Sequence, residues 1–284
     1  MKKFLTALLA FSAGLMLQAS AESAVMKNPF FALDTAVRNL AELDSVRELG
    51  YAGIGWMAQD PPRLQAAADQ LRQRSLNLFA LYLGATIHKD KFETDPRLEG
   101  MMTALKGHNT ILWLHLGSPD FPISSTNGDA VAVAGLRHVA DLAAAQDLRV
   151  ALYPHTGEWG ERIQDAMRLA KKVDRKNLGV TFNLCHCLMV GDEAKIPELL
   201  TEAAPYLFLV TINGADTGAA RTSWGRLIRP LDEGSFDVGT VLKQLKALKY
   251  EGPIGLQGYG VNLPPKTNLT RSMNAWKKLS TLDP

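Results

Sequence analysis

The amino-acid sequence predicts a single-domain (β/α)8 TIM barrel, an α/β fold with eight parallel strands. Short apolar runs alternate with amphipathic stretches of helical period along the 284 residues, and this unit recurs eight times. Runs such as TILWLHL (110–116) and LFLVTI (207–212) are apolar throughout, as is typical of parallel strands covered on both faces. No linker or low-complexity segment divides the chain. These features favour a closed barrel over a doubly wound open sheet.

Each predicted strand is a short apolar run that ends at a polar or aromatic residue. In chain order the strands are PFFAL (29–33), YAGIGW (51–56), NLFALYL (77–83), TILWLHL (110–116), LRVALYP (148–154), LGVTFNL (178–184), YLFLVTIN (206–213) and PIGLQG (253–258). Gly252-Pro253 marks the turn into the last of them.

The stretches between the strands have helical periodicity and supply the outer layer of the barrel. Gly50 follows Leu49 where a helix C-terminus is expected, because glycine readily adopts the left-handed conformation found there. The predicted helices cover 37–49, 61–74, 96–106, 128–146, 159–173, 193–203, 237–249 and 268–280.

The first 21 residues have the pattern of a secretory signal peptide. Lys2 and Lys3 precede an apolar run from Phe4 to Leu17, and Ala19-Ser20-Ala21 forms a small-x-small cleavage site. The apolar run is shorter than the roughly 18–20 residues that a membrane span needs, so we expect no stable membrane insertion. The sequence therefore predicts cleavage after Ala21, a barrel domain over 22–284, and a periplasmic or secreted protein.

The charge balance argues against nucleic acid as a partner. Removing Lys2 and Lys3 from the 31 basic residues leaves 29, which equals the number of acidic residues. No later cluster of lysine or arginine changes this balance. A neutral protein lacks the basic surface that binds a phosphate backbone.

The two cysteines, Cys185 and Cys187, are predicted to be free, buried thiols. A disulfide between residues two apart would be badly strained. A zinc site made by Cys185, His186 and Cys187 is not expected either, since neighbours in an extended segment point in different directions and no second cysteine pair is present.

The candidate site residues are those where the predicted strands end, because TIM barrels place their chemistry at the carboxyl ends of the strands. Four of the six histidines lie at or near such ends: His88, His115, His155 and His186. Of these, His115 is equally compatible with a core position, and His88 lies in a polar loop. The candidates are Trp56, Tyr153, His155, Glu158, Asn183, His186, Asn213, Asp216, Gln257 and Tyr259.

Catalytic roles are predicted for His155, His186 and Glu158. Imidazoles titrate near neutral pH, so a positioned histidine can take a proton next to a carbonyl group. Glu158 can orient such an imidazole or act as a base, although an acid at the start of a helix is also favoured by the helix dipole. Aromatic residues that can stack on the apolar face of a sugar ring are Trp56, Tyr82, Trp159 and Tyr259. The amides of Asn183, Asn213 and Gln257 can pair with hydroxyl groups, and Tyr153 and Asp216 complete the substrate-binding candidates.

Three segments, in order and at the expected spacing, resemble the xylose isomerase-like TIM barrels. They are NLAELDSVRELGYAGIGW (39–56), RPLDEGSFDV (229–238) and KYEGPIGLQGYG (249–260). The resemblance covers nearly all of the mature chain. It implies a relationship to sugar and sugar-phosphate isomerases and epimerases.

The resemblance also implies a divalent metal, but the metal-binding pattern is altered. Family members hold the metal with Glu, Asp, His and Glu after strands five to eight, and Tyr153, Asn183, Asn213 and Gln257 stand at these positions here. Hard cations such as Mg²⁺ prefer anionic oxygen ligands, which this set lacks. Two alternatives stay open: a softer site of His155, His186 and Gln257 that holds Mn, Zn or Fe, and a metal-free protein.

The leading functional hypothesis is an exported sugar isomerase- or epimerase-like enzyme that acts by proton abstraction next to a carbonyl. Its substrate would be a small-molecule carbohydrate: an unphosphorylated sugar, a keto-sugar or a glycoside, with β-elimination as a related outcome. Export and the lack of a basic phosphate-binding loop disfavour sugar phosphates. The alternative is a catalytically inactive carbohydrate-binding TIM barrel, because loss of the metal carboxylates fits either interpretation.

Overall fold

The computed structural model describes residues 25–33 and 42–282. The predicted signal peptide, the polar residue Asp34 after the first strand, and the first part of the predicted helix 37–49 lie outside the described residues.

Eight parallel strands close into a barrel, as the sequence predicts. β1 pairs with both β2 and β9, so the first and last strands join and the barrel leaves no free edge. β3 extends past its predicted end and pairs antiparallel with a short strand, β4, which the sequence analysis did not predict. The strands are β1 (Phe30–Leu33), β2 (Gly53–Met57), β3 (Asn77–Ile87), β4 (Phe92–Thr94), β5 (Ile111–Gly117), β6 (Arg149–Leu152), β7 (Leu178–Asn183), β8 (Leu207–Ile212) and β9 (Ile254–Gln257).

The helices cover the outside of the barrel, and the described parts of all eight predicted helices are present. Two short helices, α6 and α8, follow β7 and β8 and were not predicted. The helices are α1 (Leu43–Leu49), α2 (Pro61–Gln73), α3 (Leu98–Ala104), α4 (Asp129–Ala144), α5 (Ile163–Val173), α6 (Leu184–Met189), α7 (Ile196–Ala203), α8 (Trp224–Leu227), α9 (Val238–Ala247) and α10 (Pro265–Leu279). Within the described part of the chain, no helix is both long enough and apolar enough to cross a bilayer.

Strand alternation divides the core into two layers. Outward side chains such as Leu112 and Leu152 pack against the helices in one large cluster. Inward side chains fill the barrel itself: Phe31, Leu33, Ala80, Ile111, Trp113, Ala151, Tyr153 and Leu209. The indole of Trp113 donates a hydrogen bond of 2.6 Å across the interior to Oγ1 of Thr181. A packed layer of largely aromatic side chains therefore fills the barrel below the carboxyl ends of the strands.

Phe31 fits inside the barrel because glycine stands beside it on the neighbouring strand. Phe31 is in register with Gly255 of β9, and a Cβ atom at Gly255 would lie 2.5 Å from the Phe31 ring. That separation is far below van der Waals contact, so the ring occupies the space that any other side chain would need.

We expect Gly255→Ala to lower the free energy of unfolding by about 1–3 kcal/mol, because the new methyl group overpacks the barrel interior. Phe31→Leu should relieve the clash, so the double variant should lose less stability than the two single variants together. Chemical denaturation measures both quantities. Gly225→Ala is a matched control, since a Cβ atom there meets nothing within 4 Å. Additive losses in the double variant would contradict the packing explanation.

Candidate functional site

A cavity of about 320 Å³ opens at the carboxyl ends of the strands, where the fold predicts the site. Its base is the inner aromatic layer, and its rim is formed by loops and by α8. The lining residues are Leu33, Met57, Tyr82, Trp113, Tyr153, His155, His186, Trp224, Ile228, Gln257 and Tyr259. Five of the predicted site residues are thereby brought together: Tyr153, His155, His186, Gln257 and Tyr259.

The carboxylate of Glu158 lies between two imidazoles. Its Oε2 is 2.7 Å from Nδ1 of His115, and its Oε1 is 3.4 Å from Nδ1 of His155. A tight turn after β6 produces this arrangement, because the N–H of Glu158 donates a 3.0 Å hydrogen bond to the carbonyl of His155. The structure therefore assigns His115 a polar partner at the site, which the sequence analysis left open. Glu158 itself lies behind His155 and does not line the cavity.

The surroundings of His155 keep its ring neutral near pH 7. Burial lowers the pKa of His155, the positive charge that His115 can carry lowers it further, and the Glu158 carboxylate opposes both effects. Nδ1 of His155 is buried on the Glu158 side, so Nε2 is the ring nitrogen available to the cavity. A neutral, partly exposed imidazole of this kind can accept a proton from a bound molecule.

His186 lies on α6, so the sequence-based picture of an extended Cys185-His186-Cys187 segment was wrong. Asn183 caps this helix, and its side chain accepts a hydrogen bond from the N–H of His186. Nδ1 of His186 accepts a 3.0 Å hydrogen bond from the N–H of Thr156 and lies 3.0 Å from the hydroxyl of Thr156. Burial and the neighbouring imidazoles lower the pKa of His186 well below its ordinary value. The ring is therefore neutral.

The polar side chains of Tyr153, Asn183 and Gln257, at or next to the ends of β6, β7 and β9, are neutral and hydrogen-bonded. The side-chain amide of Asn183 donates a 2.9 Å hydrogen bond to the hydroxyl of Tyr153. The side-chain oxygen of Gln257 accepts one of 3.1 Å from the N–H of Tyr259. Burial raises the pKa of Tyr153, so its phenol stays protonated.

The cysteines are free and buried, as predicted. Cys185 donates a hydrogen bond through its thiol to the side chain of Asn183, and burial raises the pKa of Cys187 to about 12. Both are protonated thiols at neutral pH, which is not the thiolate form that binds metals or attacks carbonyl groups.

Four predicted substrate-binding residues lie outside the cavity lining. Trp56 packs outward against the helices because it is one residue out of phase with Met57, which faces the cavity. Asn183 is buried behind Tyr153. Asn213 donates hydrogen bonds of 2.6 Å to the carbonyl of Leu227 and 2.8 Å to that of Gly214, which hold α8 in place. The carboxylate of Asp216 pairs with two arginines, at 3.0 Å from Nε of Arg226 and 3.1 Å from an Nη of Arg229.

Several lining residues were not identified from the sequence. Trp224 begins α8 and approaches His186 edge-on, with 5.0 Å between ring centroids. Trp113, inside the predicted strand 110–116, also reaches the cavity. Tyr82 ends a predicted apolar run and is compatible from the sequence with either stacking on a sugar or packing; it lines the cavity and stacks on His115, with 4.7 Å between ring centroids. One sequence signal does point to Trp224. It lies in the segment after β8, at the carboxyl end of the barrel, where the loops carry function.

The tentative metal set of His155, His186 and Gln257 does not fit a divalent cation. Nδ1 of His186 accepts a hydrogen bond from the backbone N–H of Thr156, so its lone pair is in use. The proton of the neutral ring is then on Nε2, which leaves that nitrogen without a lone pair for a metal. Tyr153 is a neutral phenol, and Asn213 is directed away into backbone hydrogen bonds. Among the described residues, no group of three or more His, Cys, Asp or Glu is arranged to hold a metal ion.

Solved structures similar in fold include two sugar epimerases and a protein solved with zinc. The 3-keto-D-glucoside 4-epimerase from E. coli has a TM-score of 0.69 and 17% identity, over 89% of this chain and 99% of that chain. The IOLI protein, solved with a bound zinc atom, has a TM-score of 0.72 and 15% identity, over 89% and 98%. A D-allulose 3-epimerase from Methylomonas sp. has a TM-score of 0.67 and 16% identity, over 90% and 100%.

At these identities the structures establish a shared fold, and the sequence itself establishes the family. None of the curated proteins matches the chain by sequence. Residues 43–279 match the family described as Xylose isomerase-like TIM barrel, which covers most of the chain. The chain therefore belongs to the xylose isomerase-like TIM barrel family.

Proposed function

We propose that the protein is an exported enzyme that removes a proton from the carbon next to a carbonyl group of an unphosphorylated sugar, keto-sugar or glycoside. Return of the proton gives isomerisation or epimerisation, and loss of a leaving group gives β-elimination. The observation that carries this proposal is the imidazole of His155, which lines the cavity with its Nδ1 3.4 Å from Oε1 of Glu158.

In this proposal His155 is the general base. Its Nε2 takes the proton, and the Glu158 carboxylate orients the ring and stabilises the imidazolium that forms. The rings of Trp224 and Tyr259, which line the cavity, suit the apolar face of a sugar. The phenol of Tyr153 and the amide of Gln257 offer hydrogen bonds to hydroxyl groups.

The nature of the cavity supports an uncharged substrate. None of its described lining residues is a lysine or an arginine, and the nearby Arg226 and Arg229 are both paired with Asp216. A sugar phosphate would leave its charge without a counter-charge there. Two structures similar in fold are named as epimerases of a keto-glucoside and of a ketose, which agrees with this substrate class.

A second candidate is a carbohydrate-binding protein without catalysis. It is favoured by the mostly aromatic and apolar lining, in which no described residue is a carboxylate. Stacking and neutral hydrogen bonds are sufficient to hold a sugar, whereas proton transfer also needs a base that is correctly placed.

Solvent-exchange measurements test the enzyme proposal. We expect unphosphorylated ketohexoses or 3-keto-glucosides to acquire deuterium next to the carbonyl when incubated with the protein in D₂O, as followed by NMR. His155→Gln should slow this exchange by about 100- to 10,000-fold, the usual contribution of a general base.

His138→Gln, on the exposed side of α4, is the matched control and should exchange at the normal rate. Sugar binding without exchange by the wild-type protein would instead favour the binding protein. Absence of both binding and exchange would contradict each candidate.

The pH profile of the exchange should show how Glu158 acts on His155. Because burial lowers the pKa of His155, we expect the acidic limb to have its midpoint below about 6.5. Glu158 raises this pKa, so Glu158→Gln should move the acidic limb to still lower pH while it lowers the plateau rate. Glu202→Gln, on the surface of α7, should leave the profile unchanged. A shift towards higher pH in Glu158→Gln would contradict the assignment.

Export is tested by the N-terminus of the protein recovered outside the cytoplasm. The cleavage pattern predicts that the mature chain starts at Glu22. Replacing Leu8 and Leu9 by arginine should leave the protein uncleaved inside the cell, because the apolar core of the signal is interrupted. A chain that keeps Met1 at every location would rule out the proposed export.

A further inference from the structure

The protonation state of His186 follows from one hydrogen bond. Nδ1 of His186 accepts a 3.0 Å hydrogen bond from the N–H of Thr156. A backbone amide can only donate, so Nδ1 must present its lone pair. In a neutral imidazole the proton is then on Nε2. This backbone contact selects one tautomer of the ring, independently of the side chain at position 156.

The same contact directs the Nε2–H of His186 towards the cavity. The ring lines the cavity, its Nδ1 edge faces Thr156, and the ring is otherwise buried. The ring of His155 lies 4.5 Å away, centroid to centroid, on the same side of the cavity. A proton acceptor and a proton donor therefore stand next to each other.

We propose that His186 is the electrophile of the site: its Nε2–H donates a hydrogen bond to the carbonyl oxygen of the substrate and stabilises the enolate that forms. The inference rests on the proposed function. When the C–H bond next to the carbonyl breaks, its proton goes to Nε2 of His155. The electron pair forms a C=C bond, and the carbonyl electrons move to the oxygen that His186 holds. The proton then returns to carbon, which regenerates a carbonyl group and the neutral His155.

This assignment explains how the site can work although its residues do not fit a cation. A divalent metal would polarise the carbonyl as a Lewis acid. A fixed N–H donor in a site of low polarity stabilises the same developing charge, and neutral imidazoles are suited to this role. His186 must reach the carbonyl oxygen, and His155 must reach the proton on the neighbouring carbon. The oxygen and that carbon are only two bonds apart, so two adjacent imidazoles can reach both groups at the same time.

The tautomer can be measured without any activity. We expect long-range ¹H–¹⁵N spectra of histidine-labelled protein to show His186 protonated on Nε2 alone from about pH 7.5 upwards, the range in which an ordinary histidine is also mostly neutral. His186→Gln identifies the signal by removing it. A ring protonated on Nδ1, or on both nitrogens at pH 7.5, would overturn the inference and leave the role of His155 intact.

Two substitutions of His186 distinguish the loss of its hydrogen-bond donor from the loss of side-chain volume. The amide nitrogen of glutamine can take the place of Nε2, whereas that of asparagine reaches only the place of Nδ1. We expect His186→Asn to lower kcat by about 100- to 1,000-fold, the cost of removing one such donor, while His186→Gln keeps a clearly larger share of the activity. Equal losses in two variants that are both folded, as judged by circular dichroism, would contradict the donor role.

A chelator distinguishes this inference from the proposed function. Exchange by the wild-type protein should be unaffected by EDTA, and added Zn²⁺ or Mn²⁺ should not restore His186→Asn. Exchange that EDTA abolishes and metal restores would overturn the role of His186 as electrophile, while proton abstraction by His155 would stand. Absence of exchange with every sugar would instead overturn the proposed function, and the inference with it.

Discussion

The hydrogen bond from the backbone amide of Thr156 to His186 is the contact on which the candidate site depends. It joins the loop after β6 to the helix after β7, and it sets the protonation of a buried ring. The same loop turns back on itself so that Glu158 reaches His155. One short segment therefore contacts both imidazoles: the main-chain N–H of Thr156 binds His186, and the side chain of Glu158 lies beside His155.

The buried polar residues at the ends of four strands form a consistent neutral set: Tyr153, Asn183, Asn213 and Gln257. Tyr153 and Asn183 satisfy each other by a hydrogen bond. Buried charges need a partner, so this neutral set needs no cation to compensate it. The neutral histidines fit the same environment.

Most of the fold could be predicted from the sequence, because apolar runs separated by amphipathic stretches have few stable arrangements in one domain. The short helix α6 could not, since LCHCLM is apolar apart from His186 and periodicity does not distinguish a buried helix from a buried strand. Met57 lines the cavity in place of the predicted Trp56 for a different reason. A shift of one residue in the end of a strand moves a side chain to the opposite face, and boundaries read from sequence are uncertain by more than that. Trp224 reaches the site through a segment whose path depends on the Asn213 hydrogen bonds, which no local pattern shows.

The aromatic side chains that fill the barrel determine how a ligand can enter and leave the cavity. Phe31 and Trp113 block the axis below the cavity, so among the described residues there is no passage towards the amino ends of the strands. In the proposed function, a sugar would therefore enter and leave by the same opening. A departing product would then obstruct the next substrate molecule, and because an isomer closely resembles its precursor, the two would compete for the same binding site. Accumulated product would therefore slow turnover by simple occupancy.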